Sequence, residues 1–193
     1  LPVGDIGFHA QHLPFHFPDC FISGNRNDVN RQHHAPALIR QLVDELTGDT
    51  SEGPMTLEAV VDASYSTANV NLLTHLVRPR IKNLMAEGYA YADAKTQAEG
   101  ELVTTLGYSA LDISFDQLDI TKSREGDALL LALACALQYE RTTGEMVTFI
   151  NALSLDFEED GILEESNLAQ IEAAKPQIDI MLVYENMQKY YSE

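Results

Sequence analysis

Histidine and cysteine side chains cluster near the start of the chain, where the stretch GFHAQHLPFHFPDC carries His9, His12, His16 and Cys20. Imidazole nitrogens and a thiolate are ligands that zinc readily accepts in proteins. The gaps between the four residues, two and then three and three, would place them on one face of a helix. The first chemistry that the sequence raises is therefore zinc binding, with metal-assisted hydrolysis as the reaction that such a site would support.

Two prolines in the same stretch argue against that arrangement. Pro14 and Pro18 make a continuous helix improbable, so the ligands would have to come together from loops, with His33 and His34 as further donors. The chain has no C-x2-C or H-E-x-x-H motif to support a zinc site. We therefore favour histidines in a loop, partly buried against neighbouring phenylalanines, and keep a loop-held metal site as the alternative.

A second group of possible ligands lies in the segment DFEEDGILEESN, which partly matches a calcium-binding loop. Asp156, Glu158 and Asp160 fall at the first, third and fifth positions of such a loop, and Gly161 falls at the sixth. The twelfth position is Asn167, where a calcium loop needs a bidentate glutamate. A helix that stops at the glycine and exposes an acidic face is the favoured interpretation, and a weak calcium site is the alternative.

The other side chains that could do chemistry are single residues without a recognisable motif around them. His75 lies on a partly apolar helical face, which is typical of a structural histidine, and Cys135 lies in the apolar run ALLLALACAL, which is typical of a buried free thiol. A disulfide between Cys20 and Cys135 is the less favoured alternative. No nucleophile motif or glycine-rich phosphate loop is present. We predict no catalytic, cofactor-binding or metal-ligating residue and leave enzymatic activity open.

The N-terminal elements that would position these groups are short. Prolines, glycines and the loop signal SGNRNDVN forbid a long helix before residue 37. The segment ALIRQLVDELTG fits a helix or a strand paired with residues 55–61, and both remain open. The segment GPMTLEAVVDAS favours a strand.

Helical patterns follow Asp62. The run STANVNLLTHLVRPRIKNLMAEG predicts a helix that kinks or breaks in two near Pro79, and YADAKTQAEGELVTTLG predicts a second whose alanine stripe admits a close neighbour. After a buried connecting loop, DALLLALACALQYERT is apolar nearly all round and predicts the central helix. GEMVTFINALSLDFEEDG predicts an amphipathic fourth helix, and Pro176 suits the first turn of the last one.

The fold that these elements predict is mainly α. We expect a helical bundle-like domain over residues 63–193, preceded by a small irregular or β segment over residues 1–62. The predicted core consists of Leu72, Leu73, Leu76, Ile81, Leu84, Leu102, Leu106, Leu129 to Leu137, Phe149, Ile150, Leu153, Ile178 and Leu182.

Charge limits the partners of the chain. The 193 residues carry 30 acidic and 12 basic side chains, a formal net charge of −18, and residues 101–193 alone hold 18 acidic and 5 basic ones. Nucleic acids and anionic membranes are therefore disfavoured partners. The sequence has no apolar run that could span a membrane and no signal peptide, and because it begins with Leu1 we expect that an upstream segment has been removed.

Four stretches carry a resemblance to a known group of proteins. They are VNLLTHL at residues 70–76 with the following Arg80 and Gly88, ADAKTQAEGE at 92–101, DALLLALACALQ, and LSLDFEEDGIL at 153–163. Together, over residues 54 to about 165, they resemble the helical region of predicted surface lipoproteins of unknown function from Bacteroides-type bacteria. The resemblance implies an extracytoplasmic setting at the outer-membrane surface or in the periplasm, with a lipid anchor upstream of this chain, and it brings no catalytic residue.

The function that these observations favour is that of a non-enzymatic surface module that binds a glycan, a peptide or a protein partner. Two alternatives remain. One is a metal-assisted hydrolase that uses His9, His12 and His16, and the other is a structural spacer that holds a neighbouring domain away from the membrane.

Overall fold

The computed structural model describes residues 33–34, 37–40, 43–62, 68–111 and 113–191. In these ranges four short strands precede six α-helices. The strands are β1 (His33–His34), β2 (Ala37–Arg40), β3 (Met55–Glu58) and β4 (Val61–Asp62). The helices are α1 (Leu72–Ala86), α2 (Tyr91–Thr105), α3 (Glu125–Gln138), α4 (Thr143–Asp160), α5 (Glu165–Ala174) and α6 (Ile180–Tyr191), with 3-10 turns at Phe115–Gln117 and Lys175–Gln177. The predicted mainly α, bundle-like fold is confirmed.

The strands form two antiparallel pairs, β1 with β4 and β2 with β3. In the second pair Leu38 lies opposite Leu57. Side chains of β3 alternate as a half-buried strand requires, because Met55 and Leu57 are buried whereas Thr56 is exposed. Of the two structures left open for residues 37–40, the strand is the one observed, and the strand favoured for the segment after it is confirmed.

Helix α1 runs unbroken through its proline. It begins at Asn71, whose side chain accepts a hydrogen bond from the Thr74 amide at 3.0 Å. Pro79 has no N–H to donate to the carbonyl of His75 one turn earlier. The hydroxyl of Ser154 in α4 donates to that carbonyl instead, at 3.3 Å. Of the two outcomes predicted at Pro79, a kink or a break into two helices, the break is not observed, because a neighbouring helix satisfies the carbonyl that the proline leaves free.

The central helix is α1 rather than α3. Helix α1 packs most extensively against α4 and next against α2, where the predicted small-residue stripe brings fully buried Ala94 and Ala98 against it. Helix α3 leaves Ala128 and Ala132 exposed. The prediction for α3 is wrong because those alanines count as apolar in the sequence yet present little area to bury.

The turn between the last two helices includes Pro176, which the sequence predicts to lie in the first turn of the last helix. Pro176 lies in the 3-10 turn that follows α5, and α6 begins only at Ile180. Asp179 starts α6, since its carboxylate accepts from the amides of Met181 and Leu182 at 3.0 and 3.2 Å. The prediction that Pro176 opens the last helix is wrong because this aspartate cap sets the start.

One hydrophobic core joins the helices to part of the strand segment. Met55, Leu57 and Val60 belong to the same buried cluster as the helical side chains. The predicted core positions on α1 and α2 and most of those on α3 are buried, as are Ile150 and Leu153 on α4, whereas Phe149 and Ile178 are half-buried. Leu182 is exposed and was wrongly placed in the core. The core also contains buried side chains absent from the prediction: Phe115, Leu118, Phe157, Leu163 and Ile171. No helix in the described part of the chain is both long and apolar enough to cross a bilayer.

Candidate functional site

The N-terminal histidine cluster lies outside the described residues. His9, His12, His16 and Cys20 therefore stay a prediction, and only the backbone of His33–His34 is described, as strand β1. Elsewhere, within the ranges that the structure describes, no three His, Cys, Asp or Glu side chains come together in a way that could hold a metal ion.

His75 is a structural residue, as its sequence context predicts. Its side chain is buried at the contact between α1 and β3, where Nδ1 accepts a hydrogen bond from the Glu58 amide at 3.0 Å. Burial, reinforced by the nearby Arg78 charge, lowers the pKa of His75, which agrees with a neutral ring that accepts at Nδ1. The imidazole joins the strand segment to the central helix.

The segment proposed as a calcium loop is the end of α4. Asp156, Glu158 and Asp160 are all helical, and Gly161 ends the helix in the left-handed conformation at φ 76°. The Asp156 carboxylate accepts from the Glu164 amide at 2.8 Å, so it supports the start of α5. The favoured interpretation, a helix stop at the glycine, is confirmed.

Cys135 is a buried free thiol, again as predicted. Burial first, and then the nearby carboxylates of Glu45 and Asp44, raises the pKa of this thiol to about 12. A thiol that stays protonated at physiological pH is a poor nucleophile and a poor metal ligand. Cys135 therefore acts as a small core side chain.

Three of the four stretches that carry the resemblance meet at one point. Arg80, from the first stretch, donates from Nε and Nη2 to the two carboxylate oxygens of Glu101, from the second, at 2.8 and 3.0 Å. Its Nη1 donates to the Glu159 carbonyl at the end of α4, in the fourth stretch, at 2.5 Å. A side chain at Gly161 would collide with Glu101. These motifs build the junction of α1, α2 and α4, which is a structural role.

A second buried charge cluster joins α2 to the loop before α3. The Lys95 ammonium contacts Glu99 at 2.6 Å and Asp116 at 3.4 Å and donates to the Ser114 hydroxyl. Lysine beside serine can act as a catalytic base for that hydroxyl. Here two carboxylates engage the amine, and these residues do not line the cleft described next, so the cluster serves to hold the loop.

The candidate functional site is a cleft of about 190 Å³ between the turn-rich segment 43–52 and the junction of α3 with α4. One wall carries Asp44, Asp49 and Glu52 together with hydroxyls of the same segment. The opposite wall carries Gln138 and the first residues of α4, and Met146 contributes apolar surface. We call this site the turn cleft. Its described lining residues offer carboxylates and hydroxyls, and no histidine or cysteine is among them.

A buried polar anchor holds the segment that forms the first wall. Glu45 is buried, its amide donates to Gln138 Oε1 at 3.2 Å, and its carboxylate accepts from Gln138 Nε2. Asn186 of α6 donates to the Glu45 carbonyl at 3.0 Å, and the Tyr190 hydroxyl donates to the Gly48 carbonyl. Burial raises the pKa of Glu45. The wall is thus fixed to α3 and α6, so the turn cleft is preformed.

The free charges at the rim of the turn cleft are negative. Asp49 and Glu52 are exposed, and among the described residues neither carboxylate has a hydrogen-bond or ion-pair partner. Of the described residues that line the cleft, Arg141 alone is a cation, and its guanidinium is occupied by carbonyls at the end of α3, by Gln170 and by the ring of Phe149, 4.3 Å away. The available groups therefore favour a cationic ligand.

The stretch GDTSEGP, residues 48–54, lies between the two apolar N-terminal segments, and none of the sequence predictions involves its carboxylates. The available signal is the density of acidic and hydroxyl side chains in a segment too short for an element of its own. The opposite wall gives no local signal, because Gln138 and Thr142 come close to this segment only through the fold.

Comparison with known proteins adds no relative: the chain matches no protein-family model, no curated protein and no solved structure. The likeness to surface lipoproteins therefore stays a prediction from its motifs.

Proposed function

We propose that the protein is a non-enzymatic binding module whose turn cleft takes a peptide segment with lysine or arginine side chains from a partner protein. The observation that carries the proposal is the pair of exposed carboxylates, Asp49 and Glu52, at the rim of a preformed cleft where Arg141, the one cation among the described lining residues, is engaged elsewhere. Neighbouring hydroxyls would bind the polar backbone of such a peptide. The net charge of −18 would steer a cationic segment towards the chain.

An extracytoplasmic, cell-surface or periplasmic setting is part of this proposal and rests on the motif resemblance alone. A glycan ligand is the second candidate, because the same hydroxyls and carboxylates can bind sugar hydroxyls. Peptide is favoured over glycan because a lysine or arginine side chain would form ion pairs with the exposed carboxylates of Asp49 and Glu52, which a neutral sugar does not.

A binding experiment separates these ligands. The probe is a short fluorescent peptide of alternating lysine and serine, compared with the same peptide acetylated on every lysine and with neutral oligosaccharides. We expect the lysine peptide to bind and the acetylated one to bind much more weakly, because acetylation removes the charge. Preference for an oligosaccharide over both peptides would overturn the peptide proposal in favour of the glycan.

A matched pair of variants locates the site. D49N/E52Q removes two charges at the turn cleft, and E125Q/E159Q removes two exposed charges elsewhere. Two ion pairs of up to about 1 kcal/mol each correspond to binding weaker by up to about thirtyfold in the first variant and to little change in the second. Equal weakening in both would mean that the peptide senses only the overall charge, and the turn cleft would not be the site.

A further inference from the structure

The first turn of α6 exposes a group of large apolar side chains. Ile180 is 72% exposed and Met181 65%, and Leu182 and Tyr184 are 43% and 41% exposed. Large apolar side chains exposed close together on one element mark interaction sites in proteins. We call these four residues the α6 patch.

The α6 patch belongs to a well-formed helix that is anchored at its other end. Asp179 caps the first turn through its carboxylate. Further along the helix, Val183 is buried, and Asn186 and Tyr190 bind carbonyls of the turn segment. The anchored half fixes α6 to the protein, so the first turn displays the patch in a defined position.

The charges beside the α6 patch identify the kind of partner that fits it. Asp179 and Glu185 flank the patch, and no cation lies between residues 176 and 188. Lys175 is paired with Glu172 at 2.5 Å, and Lys189 lies over the ring of Tyr190. An anionic membrane would meet like charge here, and so would the acidic flanks of a second copy of the chain.

We propose that the α6 patch is a docking surface for an amphipathic helix of a partner protein, with an apolar face bordered by lysine or arginine. The apolar face would cover Ile180, Met181 and Leu182, and the basic border would meet Asp179 and Glu185. Apolar side chains one turn apart on such a partner helix would supply affinity, and the flanking charges would set its orientation. The surface is separate from the turn cleft, so its occupant need not be the peptide bound there.

The test uses a synthetic helical peptide with leucines one turn apart and lysines along their border. A scrambled peptide of the same composition, with no apolar face, is the control probe. Anisotropy titrations of the 193-residue chain should show saturable binding of the amphipathic peptide, at least tenfold tighter than the scrambled one. Equal binding of both would overturn the proposal, because attraction would then depend on charge alone.

Two matched variants locate the contact. I180S/M181S removes two apolar side chains from the patch, and L155S/I162S removes two others that are 66% and 60% exposed. We expect at least tenfold weaker binding in the first variant and less than twofold change in the second, with unchanged far-UV circular dichroism in both. Equal loss in both would overturn the proposal.

Two further measurements exclude other occupants and keep the two proposals apart. If the protein forms a concentration-dependent dimer and I180S/M181S abolishes it, the patch is the contact with a second copy of the chain. If the protein binds phosphatidylglycerol vesicles and the same variant abolishes that binding, the patch is a membrane contact. Either result would overturn the proposal. D49N/E52Q should keep the tenfold preference for the amphipathic over the scrambled peptide, because both peptides carry the same lysines and only the first presents an apolar face. Failure at the turn cleft and failure at the α6 patch are therefore distinguishable.

Discussion

Replacement of Arg80 with alanine should destabilise the protein strongly, because this one side chain joins three helices. Arg80 is only 7% exposed, pairs with Glu101 through two hydrogen bonds, and donates a third to the Glu159 carbonyl. Removal of one partner from a buried ion pair typically costs about 3–5 kcal/mol, since the remaining charge is left uncompensated. The Glu101 side chain is 24% exposed, so water can hydrate it in part, and we expect the lower end, about 3 kcal/mol.

Urea unfolding monitored by circular dichroism measures that loss directly. In a domain of this size, about 3 kcal/mol corresponds to a fall in Tm of roughly 6–12 °C. R80K keeps the charge but not the planar fork that binds both carboxylate oxygens, so its loss should be intermediate. K82A, at an exposed position on the same helix, should change stability by less than about 0.5 kcal/mol.

Two results would refute the reasoning. One is a fall in the free energy of unfolding of less than about 1 kcal/mol in R80A, which is the size expected of a surface ion pair. The other is strict additivity of R80A and E101A in a double-mutant cycle, because residues that interact directly must show a coupling energy.

The other predictions concern Glu45, which holds one wall of the turn cleft in place, and the end of α4. Because burial raises the pKa of Glu45 above its value in the unfolded chain, its contribution to stability is fully present below the ordinary glutamate pKa of about 4.3 and is lost as pH rises through the folded pKa. In urea titrations, E45Q should therefore gain stability relative to the original protein as pH rises from the unfolded-state pKa to the folded-state pKa of Glu45. A difference in free energy of unfolding that stays constant with pH would contradict this. G161A should cost about 1–3 kcal/mol in the same assay, because φ is 76° and the new methyl would meet Glu101, whereas G100A, at a helical position with open space, should not destabilise the protein. A G161A protein as stable as the original would show that the helix end can rearrange.

Local sequence signals predicted most of the fold and little of the site. The 3.6-residue period predicted the amphipathic α4, and the alanine stripe of α2 predicted a close helix contact that the structure confirms. The signals failed where a distant residue decides the outcome. Pro79 predicts a kink or a break, and the helix stays unbroken because Ser154, far along the chain, donates to the carbonyl that the proline leaves free.

The position of the turn cleft could not be predicted from local sequence, because it also depends on residues far apart in the chain. Its two walls are separated by about ninety residues, and a hydrogen bond between Glu45 and Gln138 brings them together. Nothing in the local pattern of either segment encodes that pairing. The α6 patch was missed in a different way: Leu182 fits a helical core period, and only the arrangement of neighbouring helices leaves it uncovered.

The pairing of α1 with α4 has a consequence for how the chain folds. The most extensive helix contact joins two segments with α2, a long loop and α3 between them, whereas α1 and α2 are sequential neighbours. Closing that intervening length costs chain entropy before the contact can form. We expect α1 and α2 to associate early and α4 to dock late, so mutations at Ile150 or Leu153 should mainly accelerate unfolding and leave the refolding rate nearly unchanged.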